Sequence, residues 1–507
     1  MKTHDTQRMA DRKARLDARL GGYQEWRLDP VIEGTNIRYE VADRVTATPV
    51  GGIALIHELV RCLGLPESID ANLHLFKRHF PYSESDHVLN LAYNILAGGS
   101  CLEDIERLRS NEAYLNVLGA ERIPDPTTAG DFLRRFSIDD LLDLAAAIDA
   151  VRPKVWKHLP PEKRRLARID ADGTLSTTTG ECKGGMDVSY KGTWGYAPLI
   201  VSLANTGEIL STVNRPGSVP SHLGAAWHLD QAADQVLDGG FGKVLYRGDT
   251  DFALTRNFDR WTDEDKWFVF GIDAHPAFVA RAEDIEESAW KPLQRRDKSK
   301  ARTTRRRRPV NVKEQVVVAR EFTNLHLEEE HITEFDYTPG ASKKTYRMIV
   351  LRKTIRVTKG QLYLKDDVRY FFYVTNTPKS WFSTREVVFE ANDRCDQERL
   401  IGELNHGVHA LRTPSNGLES NGAWLLITSL AWNLKAWLAI CMPRNLKKEG
   451  REILRMEFRR FLHSLMLLPC QVVKTARRTV VRLLAYTPWA NVLIDATEHF
   501  RRQRLLA

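Results

Sequence analysis

Several features that mark common protein classes are missing from this chain of 507 residues. Its six cysteines lie far apart and form no Cys-x-x-Cys pair, so neither a zinc ribbon nor a disulfide framework is expected. The N-terminal segment is charged and has no apolar core, so we expect no secretory signal. The histidines form no His-Glu-x-x-His motif. These absences predict a protein of a reducing cytoplasm.

The composition is that of a soluble globular protein, with 43% hydrophobic and 28% charged residues. This balance excludes the collagen-like, disordered and multispanning membrane classes, and the length allows about three domains. One apolar run, residues 422–442, is long enough to span a membrane. Because it contains Asn433 and Lys435, we interpret it as a buried amphipathic helix and expect no membrane partner.

Positive charge is concentrated in two blocks. The net charge is +8, yet residues 291–308 contain ten Lys or Arg and one Asp, and residues 434–507 contain fifteen Lys or Arg and five Asp or Glu. The rest of the chain is therefore acidic. This asymmetry indicates a polyanionic partner, most often nucleic acid. The alternative for each block is a solvated loop or a solvated helix face.

Patterns of hydrophobicity divide the chain into five parts. Apolar residues at helical spacing, with glycines after each run, predict an all-helical N-terminal region. Strands, a hairpin signal and two helical stretches then indicate a mixed α/β region, followed by a β-rich stretch. From Ser383 onward the pattern is helical to the end. The predicted boundaries are 1–150, 151–273, 274–377, 378–440 and 441–507.

Acidic residues at three places carry a local signal. Asp170 and Asp172 share one face of a predicted strand, and Asp249 directly follows an apolar strand, where open α/β sheets place ligands. On a predicted helix, Glu398 shares a face with Arg394. Taken singly, each of these acids is better explained as a cap, a turn residue or a surface residue.

The order of these residues is more specific than any one of them. Asp at a first strand, Asp after a later strand and Glu on a helix resemble the DDE transposases of bacterial insertion sequences. Their helix carries a Tyr-x2-Arg-x3-Glu-x6-Lys signature, which Arg394 and Glu398 fit. The Tyr position is Ala391 here and the Lys position is Asn405, so two of the four letters depart.

Short phrases strengthen this resemblance and extend it from about residue 45 to residue 435. Asp172 opens an Asp-Gly-Thr phrase, and Asp249 lies within Arg-x-Asp-x-x-Phe. Other matching phrases are Leu-Ala-Gly-Gly-x-Cys-Leu-Glu-Asp-Ile, Pro-Leu-Ile-Val, Thr-Gly-Glu-Ile-Leu and Arg-Pro-Gly. The most similar group is that of the transposase DDE domain group 1 proteins.

The resemblance implies an α/β ribonuclease H-like core with a β-rich insertion. Residues 151–273 and 378–440 would form that core, the second part carrying the Glu helix. Residues 274–377 would be the insertion, because the stretch between Asp249 and Glu398 is longer than a compact core needs. Residues 1–150 would form an all-α DNA-binding domain, and residues 441–507 a basic helical tail.

The resemblance also implies a metal site. Asp172, Asp249 and Glu398 would bind two Mg²⁺ (or Mn²⁺) ions, with Asp172 bridging both. The Asp-Gly-Thr phrase favours Asp172 over Asp170, which then lies behind the ligands. Asp251 is expected to be a cap or loop acid.

Further residues are expected to contact DNA. Arg394 would bind a phosphate near the cleaved bond, and Asn405, a neutral amide in place of a cation, would make a weaker contact. An exposed basic loop would touch phosphates through Arg302, Arg305, Arg306, Arg307 and Arg308.

The implied function is cut-and-paste transposition in the bacterial cytoplasm, at the nucleoid. A homodimer would bind double-stranded DNA, both the terminal inverted repeats of the element and the target. Two other classes remain open: a decayed transposase that binds DNA without cutting it, which the departures at Ala391 and Asn405 favour, and a membrane-associated protein, which only residues 422–442 favour.

Overall fold

The structure is a computed structural model. It describes residues 3–21, 32, 37–41, 43, 45–77, 81–295, 315–316, 320, 323–359, 362–475 and 478–504. Arg302 and the run from Arg305 to Arg308 lie outside the described residues, so the interpretation of the basic loop stays a prediction.

Helices fill the N-terminal part of the chain, as the apolar spacing predicts. Polar caps begin several of them: Asp125 accepts a hydrogen bond from the N–H of Thr128, and Ser137 accepts one from the N–H of Asp140. Gly64, with φ of 71°, separates two consecutive helices, because its left-handed conformation ends the first. The helices are α1 (Thr3–Gly21), α2 (Ile53–Leu63), α3 (Leu65–Asn72), α4 (Glu84–Leu96), α5 (Ile105–Arg109), α6 (Glu112–Leu118), α7 (Pro126–Leu133), α8 (Ile138–Asp149), α9 (Arg152–Trp156) and α10 (Pro161–Arg164).

A large mixed sheet follows these helices. Its strands are β2 (Ala167–Gly173), β6 (Leu199–Leu203), β7 (Glu208–Val213), β8 (Val244–Gly248), β9 (Lys266–Ile272), β10 (Lys291–Pro292), β11 (Thr323–Tyr337), β12 (Tyr346–Lys359) and β13 (Leu362–Thr375). Among the described residues, their order in the sheet is β10-β11-β12-β13-β9-β8-β2-β6-β7. Short strands β3 (Ser176–Thr177), β4 (Asp187–Val188) and β5 (Trp194–Tyr196) form a separate small sheet.

The direction of the strands changes within the large sheet. Strands β2, β6 and β7 form an antiparallel meander, whereas β8 pairs parallel to β2 and β9 parallel to β8. Parallel neighbours need a crossover, and two helices supply them. These are α11 (Ala225–Asp238), between β7 and β8, and α12 (Phe258–Asp263), between β8 and β9.

The β-rich stretch continues this sheet. Strand β13 pairs antiparallel to β9, with Phe372 opposite Ile272 and Thr375 opposite Val269. The long strands β11, β12 and β13 then extend the sheet sideways. Helix α13 (Pro276–Glu283) lies between β9 and β10 in the sequence. The predicted insertion therefore adds strands to the sheet of the α/β region.

One long helix lies at the centre of the molecule. This helix is α16 (Leu418–Cys441). Two shorter helices precede it, α14 (Thr384–Asp393) and α15 (Cys395–His406). Within the described residues it is the one helix long and apolar enough to cross a membrane, and 94% of its most apolar window is buried inside the protein. It is buried on all faces, so the expected amphipathic pattern is wrong.

The C-terminal region contains helices α17 (Lys447–Arg455), α18 (Phe458–Phe461) and α19 (Ala490–Arg504). Between α18 and α19 lies a β-hairpin of β14 (Cys470–Thr475) and β15 (Arg478–Leu483). The prediction of a helical pattern to the end of the chain is therefore wrong here. The pairs of valines in this stretch, Val472–Val473 and Val480–Val481, favour strands because β-branched residues are enriched there.

The two ends of the chain meet in one helical body. Strand β1 (Ala47–Thr48) pairs with β14, and α2 packs against α19. Helix α16 packs against α4 and against β7. One hydrophobic core runs through the N-terminal helices, the sheet and α16, and a second cluster lies between α14 and the other face of the sheet.

Candidate active site

Two of the predicted acids lie side by side at the carboxyl ends of two inner strands of the sheet. In the parallel pairing of β2 with β8, Asp170 is the partner of Arg247. Asp172 follows Asp170 by two residues, and Asp249 follows Arg247 by two residues. Neighbouring strands are about 4.8 Å apart, so both carboxylates start from adjacent positions. Both side chains are partly buried.

The position of Asp249 has a local cause. It begins a 3₁₀ turn, Thr250–Phe252, as soon as β8 ends, and its side chain accepts a hydrogen bond from the N–H of Asp251 at 3.0 Å. Asp251 itself is an exposed residue of that turn. The structure thus places Asp249 at the strand end and Asp251 in the loop beyond it.

Glu398 enters from the helical side, in the first turn of α15, and its side chain is exposed. The preceding residue, Gln397, is buried and fastens this helix to the sheet. Its Nε2 donates to the carbonyl oxygen of Ile200 at 3.3 Å, and Ser202 donates to its Oε1. Ile200 is the register partner of Asp172. The anchor of α15 therefore lies beside the strand that carries Asp172.

The electrostatic surroundings of Asp172 include both of the other carboxylates. Burial raises the pKa of Asp172 to about 6; Arg394 opposes this rise, while the negative charges of Asp249 and Glu398 add to it. Burial also raises the pKa of Asp249, again against Arg394 and with help from the neighbouring aspartates. The structure therefore places Asp172 next to Asp249 and within electrostatic range of Glu398.

Arg394 faces this site from the junction of α14 and α15. Its Nη1 lies 3.4 Å from Oδ2 of Asp172, and both side chains are largely buried. Its guanidinium partly neutralises the carboxylates and is close enough to bind an anion beside them. Ala391, which stands where the family signature has Tyr, lies one turn before Arg394. It packs against the hydrophobic cluster beneath α14.

Asp170 lies in different surroundings from Asp172. It is buried and accepts two hydrogen bonds from Arg247, at 2.6 and 2.8 Å. Arg247 also reaches Glu390 on α14 at 3.0 Å, and Arg168 holds the same glutamate at 2.7 Å. Asp170 is thus part of a buried ion network that joins β2, β8 and α14.

Sequence reasoning missed Arg168, Arg247, Glu390 and Gln397. A charged residue inside the apolar run of β8, Arg247, was a usable signal, because a buried cation needs a buried anion. Gln397 carried no such signal. The predicted contact Asn405 is exposed near the end of α15, with its amide nitrogen 3.5 Å from Nε2 of His406. At 1.5 Å per residue it is roughly 10 Å along the helix from Glu398.

The donor chemistry of the site suits a hard divalent ion. Carboxylate oxygens are the ligands that Mg²⁺ and Mn²⁺ prefer, and three are available in Asp172, Asp249 and Glu398. In the part of the chain that the structure describes, no three His, Cys, Asp or Glu side chains are grouped tightly enough to form a ready ligand set. The Glu398 side chain is exposed, and its carboxylate would have to turn toward the two aspartates for these three residues to hold an ion.

The site therefore consists of two aspartates at adjacent strand ends, with a glutamate on a nearby helix and an arginine at the start of that helix. It lies on a mixed α/β sheet. Comparison with protein families identifies the family of the chain. The chain belongs to the transposase DDE domain group 1 family, whose sequence model matches residues 33–505. The resemblance seen in the sequence is confirmed.

Similarity to solved and curated proteins is weaker. The chain is similar to a chain in the cryo-EM structure of a piggyBac transposase synaptic complex with hairpin DNA. The two share 11% identity at a TM-score of 0.38, over 92% of this chain and 85% of that one. No curated protein matches the chain.

Proposed function

We propose that this protein is a cut-and-paste DNA transposase. It binds the terminal inverted repeats of an insertion sequence and catalyses metal-dependent strand cleavage and strand transfer. The observation that carries this proposal is the site itself: Asp172 and Asp249 on adjacent parallel strand ends, coupled to Glu398 on the helix anchored beside them. Such acids at the carboxyl end of a sheet are placed to bind a ligand.

The topology supports a ribonuclease H-like core. An antiparallel meander of β2, β6 and β7, followed by parallel β8 and β9 on the other side of β2, is the strand order of that fold. In this frame Asp172 is on the first strand and Asp249 follows the fourth. Strands β10 to β13 extend the edge formed by β9, and this extension supports the insertion expected between Asp249 and the Glu helix.

In this proposal the carboxylates and Arg394 have different roles. Asp172, Asp249 and Glu398 would hold two Mg²⁺ or Mn²⁺ ions, which supply the positive charge that stabilises the attacking and leaving oxygens of phosphoryl transfer. Arg394 binds a phosphate oxygen of the DNA strand beside Asp172 and keeps that strand in line. The attacking group is water or a DNA 3′-hydroxyl, so no side chain of the protein acts as a nucleophile.

Basic surfaces support a double-stranded DNA partner. Helix α17 exposes Lys448, Arg451 and Arg455 along a groove of about 410 Å³ that Arg460 also lines. The acid of this groove, Glu452, is paired with Arg460 at 3.0 Å, so the remaining charge is positive. Glu403 of α15 accepts a hydrogen bond from the N–H of Phe458 at 3.0 Å, which ties this region to the helix of Glu398. A phosphate backbone can follow such a groove.

The test uses DNA from both flanks of the gene that encodes this chain, labelled at each strand end, with the purified protein. With Mg²⁺ we expect cuts at the element borders, and none with EDTA. A homodimer on paired ends predicts that two end fragments enter one complex, visible by size. Border binding without cutting in either Mg²⁺ or Mn²⁺ would instead support the non-catalytic DNA-binding protein that the departures Ala391 and Asn405 favour.

A further inference from the structure

A second site lies in the N-terminal helices, apart from the carboxylates. A cavity of about 490 Å³ opens between the start of α4, the end of α5 and helix α7. Its size is that of pockets that bind small molecules. Half-buried Phe76 and Tyr82 and buried His87 and Phe132 line it, and three exposed arginines stand at its mouth: Arg109, Arg122 and Arg135.

The inner wall of the cavity is a set of stacked rings. The imidazole of His87 lies parallel to Phe132 with their centroids 4.5 Å apart, and it meets Tyr82 edge-on at 5.6 Å. His87 is 3% exposed, and its Nδ1 has no hydrogen-bond partner among the described residues. Burial lowers the pKa of His87 to about 4, so the ring is neutral at physiological pH. A flat aromatic ligand matches this wall, because it can stack on the rings and meet a polar atom.

The charge at the mouth of the cavity is positive. Arg122 stands over the ring of Tyr82 and Arg135 over that of Phe76, and no ion pair of either arginine is found among the described residues. The acids there are engaged: Asp125 accepts two hydrogen bonds from Thr128, and Asp131 pairs with Arg134. Arg109 is paired with Glu106. Within the described part of the chain, the guanidinium groups of Arg122 and Arg135 thus remain for an anion at the entrance.

We propose that this cavity receives one unstacked nucleotide of the bound DNA, with its base against the rings and its phosphate between Arg122 and Arg135. Base stacking on aromatic side chains and charge-assisted bonds to phosphate are the interactions that hold a nucleotide outside a duplex. The inference rests on the proposed function, because the protein must bind DNA for the cavity to receive a base. It adds a DNA contact away from the three carboxylates.

The test compares two short DNA probes in titrations of the full-length protein. One is a perfect duplex, and the other is the same duplex with a single bulged 2-aminopurine. Because the bulged base is unpaired, no base-pairing free energy is lost when it enters the cavity. We expect the wild-type protein to bind the bulged probe at least about fivefold more tightly, the effect of one stacked base. The fluorescence of the 2-aminopurine should fall on binding, as stacking quenches it.

Variants locate the effect. Tyr82→Ala and Arg122→Ala should remove most of the preference for the bulged probe, with affinity for the perfect duplex nearly unchanged. Arg107→Ala is the matched control, since Arg107 is an exposed arginine of α5 that does not line the cavity, and its partner Asp104 does not line it either. It should keep the preference. Near-ultraviolet circular dichroism of each variant checks that the fold is intact.

Three results would overturn the inference: equal wild-type affinity for both probes, equal losses on both probes in the variants, or tighter binding of free deoxyadenosine monophosphate than of the bulged duplex. The last result would assign the cavity to a small nucleotide. The proposed function fails separately, because a protein that binds neither duplex, or binds and never cuts, contradicts it whatever the cavity does.

Discussion

Asp170 and Asp172 are two residues apart on one strand, and their surroundings assign them different tasks. Asp170 is 1% exposed and bound by two hydrogen bonds to Arg247. Asp172 is partly exposed, shares the site with two other carboxylates and has one long contact to Arg394. The alternation of a strand alone would put both side chains on the same face, so the partners of each residue decide its task.

Substitutions should separate the two aspartates by stability and by activity. Asp170→Asn leaves Arg247 without its full counter-charge and should lower the free energy of unfolding by roughly 3–5 kcal/mol. Asp172→Asn should abolish DNA cleavage while changing stability by less than about 1 kcal/mol, because it removes a carboxylate from a repulsive group. Urea unfolding and a cleavage assay measure the two effects. A stable, inactive Asp170→Asn protein beside an active Asp172→Asn protein would reverse the assignment.

A buried histidine makes stability depend on pH. The Nδ1 of His57 on α2 lies 3.1 Å from the hydroxyl of Tyr93, and burial, Arg61 and Arg504 lower its pKa to about 4. An unfolded histidine, with pKa near 6.5, takes up its proton first as the pH falls. The folded state therefore loses stability between about pH 6.5 and pH 4.

The variant His57→Gln tests this dependence, because it keeps a hydrogen-bonding group but cannot titrate near neutrality. Between pH 7 and pH 5 the wild-type protein should lose roughly 1–2 kcal/mol more than the variant. Unfolding curves at the two pH values give both numbers. Identical pH dependences in the two proteins would show that His57 does not contribute.

At the scale of elements, α16 does more than fill the core. Its Asn433 accepts from the N–H of Ile209 at 2.8 Å and donates to the carbonyl oxygen of the same residue at 2.9 Å. Strand β7 is at the edge of the sheet, so this amide takes the place of a further strand. Asn433, one of the two polar residues that argued against a membrane span, thus caps the edge of the sheet.

Removing that cap should be costly. Asn433→Ala leaves the buried N–H of Ile209 unsatisfied, whereas the carbonyl oxygen of Ile209 keeps its hydrogen bond from Arg152 at 2.6 Å. This predicts a loss of roughly 1–3 kcal/mol in the free energy of unfolding. Ser429→Ala, one turn earlier, is the matched control. Its hydroxyl is buried without a partner among the described residues, so its removal should be neutral or stabilising. Equal losses in the two variants would show that the cap is unimportant.

Local patterns predicted most elements correctly where one physical signal dominated. Apolar spacing and caps identified the N-terminal helices, and apolar runs identified β6 and β8. The hairpin of β14 and β15 was not predicted, because its valines and threonines lie within a basic stretch flanked by helical patterns. The joining of β13 to β9 depends on contacts between distant parts of the chain, which periodicity cannot show.

At the scale of the whole molecule, two of the phrases that indicated the family contain buried charged residues that join separate elements. Glu208 of the Thr-Gly-Glu-Ile-Leu phrase is fully buried, and it accepts hydrogen bonds from Arg152, Trp156 and Trp437. Arg215 of the Arg-Pro-Gly phrase donates to the carbonyl oxygen of Ala197. The order of the three carboxylates can be read in the sequence, and their role stays a prediction, whereas these buried contacts became visible only in three dimensions.

The two basic blocks lead to a prediction about DNA binding by the proposed transposase. The C-terminal block forms the groove of α17, and the run of four arginines from Arg305 to Arg308 lies outside the described residues. We predict that replacing these four arginines by Ala weakens binding to element-end and scrambled duplex alike. Each lost phosphate contact should flatten the log–log salt dependence by roughly 0.9. Salt titrations on both DNAs measure this, and a loss confined to the element end would contradict it.

In the proposed function three carboxylates perform the chemistry, and one substitution tests this role most directly. Glu398→Gln removes one charge from the site and should abolish cleavage of labelled element ends in Mg²⁺ and in Mn²⁺, while binding to those ends persists. Asp396→Asn is the matched control, because this acid is on the same first turn of α15 but pairs with Arg399 at 3.9 Å, and it should cut normally. Cleavage by Glu398→Gln at a rate near that of the wild-type protein would contradict the account and shift the assignment to Glu403.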